Sequence, residues 1–270
     1  MKKTIPKGLD IAATVPQADR VNAVMAFSVR SVGRMSSPHN SLSFLEGPEN
    51  SAQEVTGNLG KLGARLGIDA RTIVTCRQIH GDGMAVLDRF PGGAPDADAM
   101  IAERPGIFPA IRTADCLPIL ILEPRKRIAA AIHAGWRGTT LRITRKVVAV
   151  LKKRFRCEPS NMIVGLGPAI GACCYEVDDT VLTPLRKAIP RADRFIEVKR
   201  RVLPGTDEPT VSYRLDLTAV NRYELKAEGV PEENILEQGL CTCCNPQLFF
   251  SYRRDGALAG RHISLTGFRE

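Results

Sequence analysis

The sequence predicts a single α+β domain over residues 1–270, with short strands and flanking helices, and three observations point to it. Short apolar or alternating segments crowd residues 72–134. The helical patterns stand mostly outside that block, and no repeat, low-complexity tract or long linker divides the chain. A chain of 270 residues also buries roughly three-quarters of its unfolded surface as one domain.

Taken in order, "VNAVMAFSVR" (21–30) reads as a strand. "SAQEVTGNLGKLGARLGI" (51–68) reads as a helix capped by Ser51, with Glu54 three residues on completing a capping box. The segments "TIVTCRQIHG", "GMAVLD", "ADAMIAE", "IFPAIRT", "LPILILE" and "RIAAAIHAG" follow as strands separated by Gly, Pro or charge. A helix is expected from about Thr139 to Arg156, then a strand at "NMIVGLG". Helices come next at "DDTVLTPLRKAI" and at "DLTAVNRYELKAEGV", the latter ending at Gly229. "VLPGTDEPTVS" is the most turn-rich interval and too short to separate two domains. The tail, "LFFSYRRDGALAGRHISLTGF", reads as two strands around an Asp255-Gly256 turn.

Composition narrows the function. Hydrophobic residues are 44% and charged residues 25%, the balance of a globular chain. No apolar run approaches the roughly 20 residues of a membrane span. "MKKTIPKGLDIAATV" lacks an uninterrupted apolar stretch, because Lys7 and Asp10 intervene, so no signal peptide and a cytoplasmic location are expected. Eight unevenly spaced cysteines suit a reducing compartment rather than a disulfide scaffold. The net charge of +9 is scattered and only 5% of residues are aromatic, which argues against nucleic acid as a partner and stays compatible with small anions. The densest basic run, "RKVVAVLKKRFR" (145–156), has helical apolar spacing, and its charges read as a solvated helix face.

Only four histidines are present, and one ends the apolar run of "AAIHAGWRGTT" (130–140) just before a glycine-bounded turn. His133 is thereby placed at the lip of a site. Asp115 and Cys116 stand ahead of another apolar run in "RTADCLPILIL", and His80 precedes a glycine in "CRQIHGDG". Two histidines and a cysteine, with a fourth position left to water, are the ligand pattern of catalytic zinc. Their spacings of 36 and 17 positions are not diagnostic, and half-buried histidines with an inert core thiol remain the alternative. So does a metal-free site with Cys116 as thiolate nucleophile and His133 as its base. Asp115 either orients a ligand or caps a turn.

Three other motifs carry less. "GLGPAIGACC" (165–174) is neither a dinucleotide fingerprint nor a phosphate loop, and it reads as a tight turn bordering the site. In "SYRRDG" (251–256) a strand would turn only one of Arg253 and Arg254 toward a given pocket. Cys241, Cys243 and Cys244 of "CTCCN" offer a second metal site as one reading, but they lack a partner pair of suitable spacing apart from Cys173-Cys174, and small buried residues are the preferred reading.

The blocks "RQIHG", "DADAMIAE", "RTADCLPILI", "AAIHAGWRGT", "GLGPAIGACCYEV", "LDLTAVNRYEL" and "CTCCNPQLFFSYRRDG" followed by "GR" resemble, in order, the YfiH-like laccase-domain family. That family was formerly described as multicopper polyphenol oxidoreductases and is now described as purine nucleoside phosphorylases. "SVRSVGRMSSPHNSLSF" resembles the family's first segment more loosely. The resemblance implies an α+β fold of the YfiH-like type, related to that of a bacterial toxin with a Cys-His deamidase site. It also implies zinc on His80, Cys116 and His133, with copper the lesser alternative. The activities implied are phosphorolysis of adenosine, inosine, guanosine and methylthioadenosine, and hydrolytic deamination of adenosine. The partners are then purine nucleosides and phosphate, and no oligomeric state is inferred. A further branch of the family is tied to peptidoglycan precursor editing.

For phosphate, Arg137 at the turn before a helix is the first candidate, ahead of Arg77, Arg112, Arg253 and Arg254. The older oxidase description fails on arithmetic. A blue-copper centre with a three-copper cluster needs on the order of ten histidines, and the chain has four, His39 and His262 included. Polyphenol oxidation would be a weak side reaction of adventitious copper.

Overall fold

The computed structural model describes residues 12–30, 42–44, 51–202 and 209–270. The looser "SVRSVGRMSSPHNSLSF" segment and His39 lie largely or wholly outside them. Two sheets stack face to face. The first orders β1 (Ala12–Thr14), β2 (Ala23–Ser28), β14 (His262–Phe268), β6 (Phe108–Thr113) and β3 (Ile73–Thr75). The second orders β13 (Ile235–Glu237), β9 (Ile163–Leu166), β7 (Leu117–Glu123), β8 (Ile128–Ala134), β5 (Ala99–Ala102) and β4 (Met84–Leu87).

The continuous apolar runs follow from this stacking. In β7, Leu120 and Leu122 face the first sheet, packing in one cluster with Met25, Phe27, Ile111 and Phe268. Leu117, Ile119 and Ile121 alternate to the other face. There they meet α4 (Ile143–Phe155), through Val147, Val148 and Leu151, and Leu225 of α6 (Leu217–Ala227). The outer face of the first sheet is covered by α2 (Ala52–Leu66), which starts with the expected capping box and supplies Leu62 and Leu66. Four layers result, α-β-β-α. The sheets approach closely at β9, where a Cβ on Gly165 would stand 2.6 Å from the Met25 sulfur.

A smaller sheet of β10 (Glu176–Val177), β12 (Pro209–Leu215) and β11 (Ile196–Val202) packs with α5 (Asp179–Ala188) at one side. The short helix α3 (Trp136–Thr140) packs beside α5 in this part, whereas the short helix α1 (Pro16–Asp19) packs on β2 of the first sheet.

Three sequence expectations are corrected, and two strands that the sequence reading did not propose are added: β11 and β12, on either side of the turn-rich interval, pair antiparallel. The helix expected from Thr139 breaks into α3 and α4 at Arg142, whose φ is 61°. Its guanidinium bonds both oxygens of the buried Glu224 at 2.8 and 3.0 Å. The tail is not a hairpin: α7 (Tyr252–Asp255) precedes β14. The Ser251 hydroxyl caps α7 by accepting from the Arg254 N–H, and Asp115 accepts the Arg253 N–H at 2.6 Å. These acceptors hold a helical turn where a strand was expected. The cysteines of "CTCCN" are not buried: Cys241 and Cys243 are half-exposed and Cys244 is exposed. The basic run is the solvated face expected of α4, with Arg145 and Lys152 paired to Glu228.

Candidate metal centre and active site

His133 is the penultimate residue of β8, beside the start of β7, whose Pro118 is its register partner. Cys116 occupies the turn from β6 into β7, and His80 the loop between β3 and β4. Three strand ends therefore converge. The ligand atoms of His80, Cys116 and His133 lie within 4.8 Å of one another. The two imidazole rings meet edge to face at 4.8 Å.

The backbone is bent to achieve this. His80 has φ 58° and Asp115 φ 92°, both in the left-handed region that non-glycine residues avoid. Asp115 is over-determined: its carboxylate accepts from the Thr242 hydroxyl at 2.5 Å, the Ser251 hydroxyl at 3.0 Å and the Arg253 N–H. It fixes the turn that presents Cys116. Gly135 supplies room, because a Cβ there would sit 3.0 Å from the Cys116 sulfur.

Sequence reasoning did not single out Asp98, which is fully buried. Its Oδ1 accepts from His133 Nδ1 at 2.7 Å and from the His80 N–H at 3.0 Å. Its Oδ2 accepts the N–H of Gly81 at 2.6 Å and of Ile79 at 3.3 Å. One carboxylate thus orients one histidine ring and the backbone of the loop carrying the other. With the Nδ1 proton directed at Asp98, Nε2 of His133 is left to face Cys116 and a metal. The signal in the sequence was an acidic residue leading the apolar run "AMIA".

Charge reinforces the arrangement. Burial pushes the Cys116 thiol up, but the charge of His133 and hydrogen bonds from His133 and His80 outweigh it and bring the thiol down to about 6. Burial works against protonation of His133, yet the Cys116 charge and the Asp98 hydrogen bond raise it to about 9. Both directions describe an ion pair of thiolate and imidazolium, which a cation displaces by taking the place of the proton. Two nitrogens and one sulfur around an open side fit the donor set of a catalytic zinc ion.

The site forms one end of a cavity of about 720 Å³. Arg77, Arg112 and Arg253 line it, as do Gln78, Trp136, Ile170, Tyr175, Tyr252 and Arg261, none of which the sequence reading proposed. Arg77 is paired with Asp96, and Arg112 bonds the Cys76 carbonyl at 3.0 Å. Burial, then the Cys116 charge, pushes the Tyr175 phenol up, so it keeps its proton as a donor. Arg137 is exposed and its guanidinium lies 4.4 Å over the Trp136 ring, on the rim rather than in the lining. Arg254 is turned away, bonding the carbonyls of Thr242, Cys243 and Phe249 and pairing with Asp255. The expected turn at residues 165–174 borders the cavity through Ile170.

The sequence pattern of the family described as multi-copper polyphenol oxidoreductase laccase matches residues 24–269, and the chain belongs to that family. Purine nucleoside phosphorylase YlmD of Geobacillus stearothermophilus is 32% identical over 257 residues, covering 92% of this chain and 91% of that protein. Adenosine deaminase RL5, from an unknown prokaryotic organism, is 34% identical over 209 residues, 74% of this chain and 76% of its own length. Among solved structures, the hypothetical protein YfiH of Bacillus licheniformis matches with a TM-score of 0.84 and 30% identity, over 96% of this chain and 97% of that one. The α+β fold is that of this solved structure. Among the described residues, no helix is long and apolar enough to cross a membrane.

Proposed function

We propose that this chain is a zinc-dependent purine nucleoside enzyme. It would catalyse phosphorolysis of adenosine, inosine, guanosine and methylthioadenosine, and hydrolytic deamination of adenosine. The observation that carries the reading is the convergence of His80, Cys116 and His133, with Asp98 fixing the His133 tautomer, at one end of a cavity rich in arginine and aromatic rings. The names of the relatives support the substrate class.

Zinc with three protein ligands supplies Lewis acidity and activates water near neutral pH. The chain's own residues do the rest. Trp136, Tyr175 and Tyr252 offer faces on which a purine stacks. The Tyr175 hydroxyl donates a hydrogen bond to the bound nucleoside. Arg112, Arg253 and Arg261, with Arg77 beside them in the lining, bring positive charge to a phosphate beside the ribose, and Arg137 stands at the rim. In phosphorolysis that charge steadies phosphate against an oxocarbenium-like sugar, whereas deamination needs only activated water at the purine carbon bearing the amino group.

Incubating metal-assayed protein with adenosine, with and without phosphate, tests the reading. Adenine and ribose 1-phosphate are expected only with phosphate, and inosine in either case. Zinc-replete protein that forms none of these products would overturn it. Arg253→Ala should depress phosphorolysis of inosine more than deamination of adenosine. The same comparison with Arg137→Ala separates wall from rim, and equal losses of both reactions in both variants would sink the phosphate assignment.

A second reading rests on the lowered Cys116 thiol beside His133, itself held by Asp98: a Cys-His hydrolase with Cys116 as nucleophile. A covalent adduct on Cys116 during turnover by metal-free protein would favour it.

A further inference from the structure

Four cysteines that the nucleoside chemistry does not use come together on a different part of the molecule. Cys173 and Cys174 lie in a turn after β9, and Cys241 and Cys244 in a turn after β13, about seventy positions later in the chain. A bridge between Ala169 and Cys241, with the Thr242 N–H donating to the Ala169 carbonyl at 3.0 Å, holds the two turns side by side. The Cys244 sulfur is 3.5 Å from that of Cys173 and 3.3 Å from that of Cys174. All four sulfurs lie within 4.8 Å of one another.

These separations discriminate between chemistries. A disulfide needs sulfurs about 2.05 Å apart, so none of the four is bonded to another. Four thiolates around zinc at about 2.3 Å stand roughly 3.8 Å apart along each edge of the tetrahedron, close to the spacing found here. Small contractions of the wider pairs complete it.

The local backbone has the matching form. Cys241 and Cys244 are spaced C-x-x-C, the separation at which two cysteines of one tight turn ligate a single zinc ion. The Gly171 N–H donates to the Cys241 sulfur at 3.2 Å, a bond of the kind that supports a sulfur carrying negative charge. A Cβ on Gly171 would stand 3.3 Å from the Cys173 sulfur and 3.3 Å from the Cys241 Cβ, so this glycine lets the turns close. Arg214 donates to the Cys173 carbonyl and Arg253 to that of Cys174, placing two guanidiniums beside the group. Cys173 and Cys244 are exposed, which gives an ion an entry path.

We propose that Cys173, Cys174, Cys241 and Cys244 form a structural tetrathiolate site for one Zn2+ ion, separate from the His80–Cys116–His133 centre. Binding replaces four thiol protons, released to solvent, by one cation and leaves a complex of charge −2 beside the two arginines. The ion clamps two segments that build the nucleoside cavity. Ile170 and Tyr175 of that wall flank the first cysteine pair, and Thr242, which anchors Asp115, lies within the second turn.

The test uses the full chain purified without chelator, with metal measured by elemental mass spectrometry. Two zinc ions per chain are expected in the wild type. His80→Ala/Cys116→Ala should keep one, and X-ray absorption of that ion should show four sulfurs at about 2.3 Å. Cys174→Ser/Cys244→Ser should lose this ion and keep the other. The four thiols of the wild type should resist maleimide until a chelator is added, as read by peptide mapping, a measurement that needs no variant to fold. At most one zinc per chain with all four thiols freely labelled would overturn the proposal. So would a disulfide among them, or iron in place of zinc.

Discussion

Replacing Asp98 by Asn changes one atom in a fully buried group and separates orientation of the metal ligands from their identity. Asp98 accepts four hydrogen bonds, two at each oxygen, and all four partners donate. An asparagine has one oxygen and one donating NH2, so one pair of bonds must fail. If its oxygen faces His133, the NH2 is driven against the Gly81 and Ile79 N–H groups and the loop carrying His80 loosens. If the NH2 faces His133, the ring must put its proton on Nε2, and the nitrogen needed by the metal is blocked. Either way zinc affinity should fall by about 10- to 100-fold, or about 1.4–2.8 kcal/mol. Loss of charge-assisted bonds should also cost about 1.5–3 kcal/mol of stability. Competition with a chromophoric chelator gives the affinity, and thermal unfolding of the chelated protein gives the stability. Unchanged zinc affinity in folded Asp98→Asn protein would refute the role given to this carboxylate.

Three further outcomes are expected. His262 is buried against Phe249 and Phe250 and accepts the Phe250 N–H at 2.7 Å; burial, then the charge of Arg30, lowers its pKa to about 3. The unfolded chain therefore takes up this proton first as pH falls, so stability drops below pH 6.5, by about 2 kcal/mol between pH 7 and pH 5. Chemical denaturation at the two pH values should show that loss, and His262→Gln should remove it; an unaltered pH dependence in the variant would count against the assignment. Gly135→Ala puts a methyl group 3.0 Å from the Cys116 sulfur and 3.7 Å from the His80 ring, and should weaken zinc on the order of tenfold, whereas full affinity would show that the turn yields freely. Cys116 should be alkylated slowly in zinc-loaded protein and faster after chelation, a ranking that mass spectrometry reads directly, whereas the nucleophile reading expects alkylation slowed by substrate and indifferent to chelation.

What the sequence revealed and what it hid divide along one physical line. Strand identity is written in local pattern, and the alternation of Leu120 and Leu122 against Ile119 and Ile121 is explained by burial on both faces. The Ser51–Glu54 capping box was legible for the same reason, since its partners are three residues apart. Strands β11 and β12 escaped notice because Lys199, Arg200 and their neighbours interrupt the apolar alternation of an exposed ribbon. His80, Cys116 and His133 could be picked out because each stands where an apolar run meets a turn, a position that exposes side chains to a site. Asp98 could not, because its meaning depends on register: Ala99 pairs with Ile132, which sets the preceding carboxylate beside His133. A shift of one residue would point it away. The cysteine pairs obey the same rule: the residues could be noted in the sequence, but it is the Ala169–Cys241 bridge that makes neighbours of the two turns. Local pattern therefore identifies the residues at the ends of strands, whereas the pairing of strands determines which of those residues share a proton or an ion. In this chain the proposed ligands belong to the first kind, and the carboxylate that orients them belongs to the second.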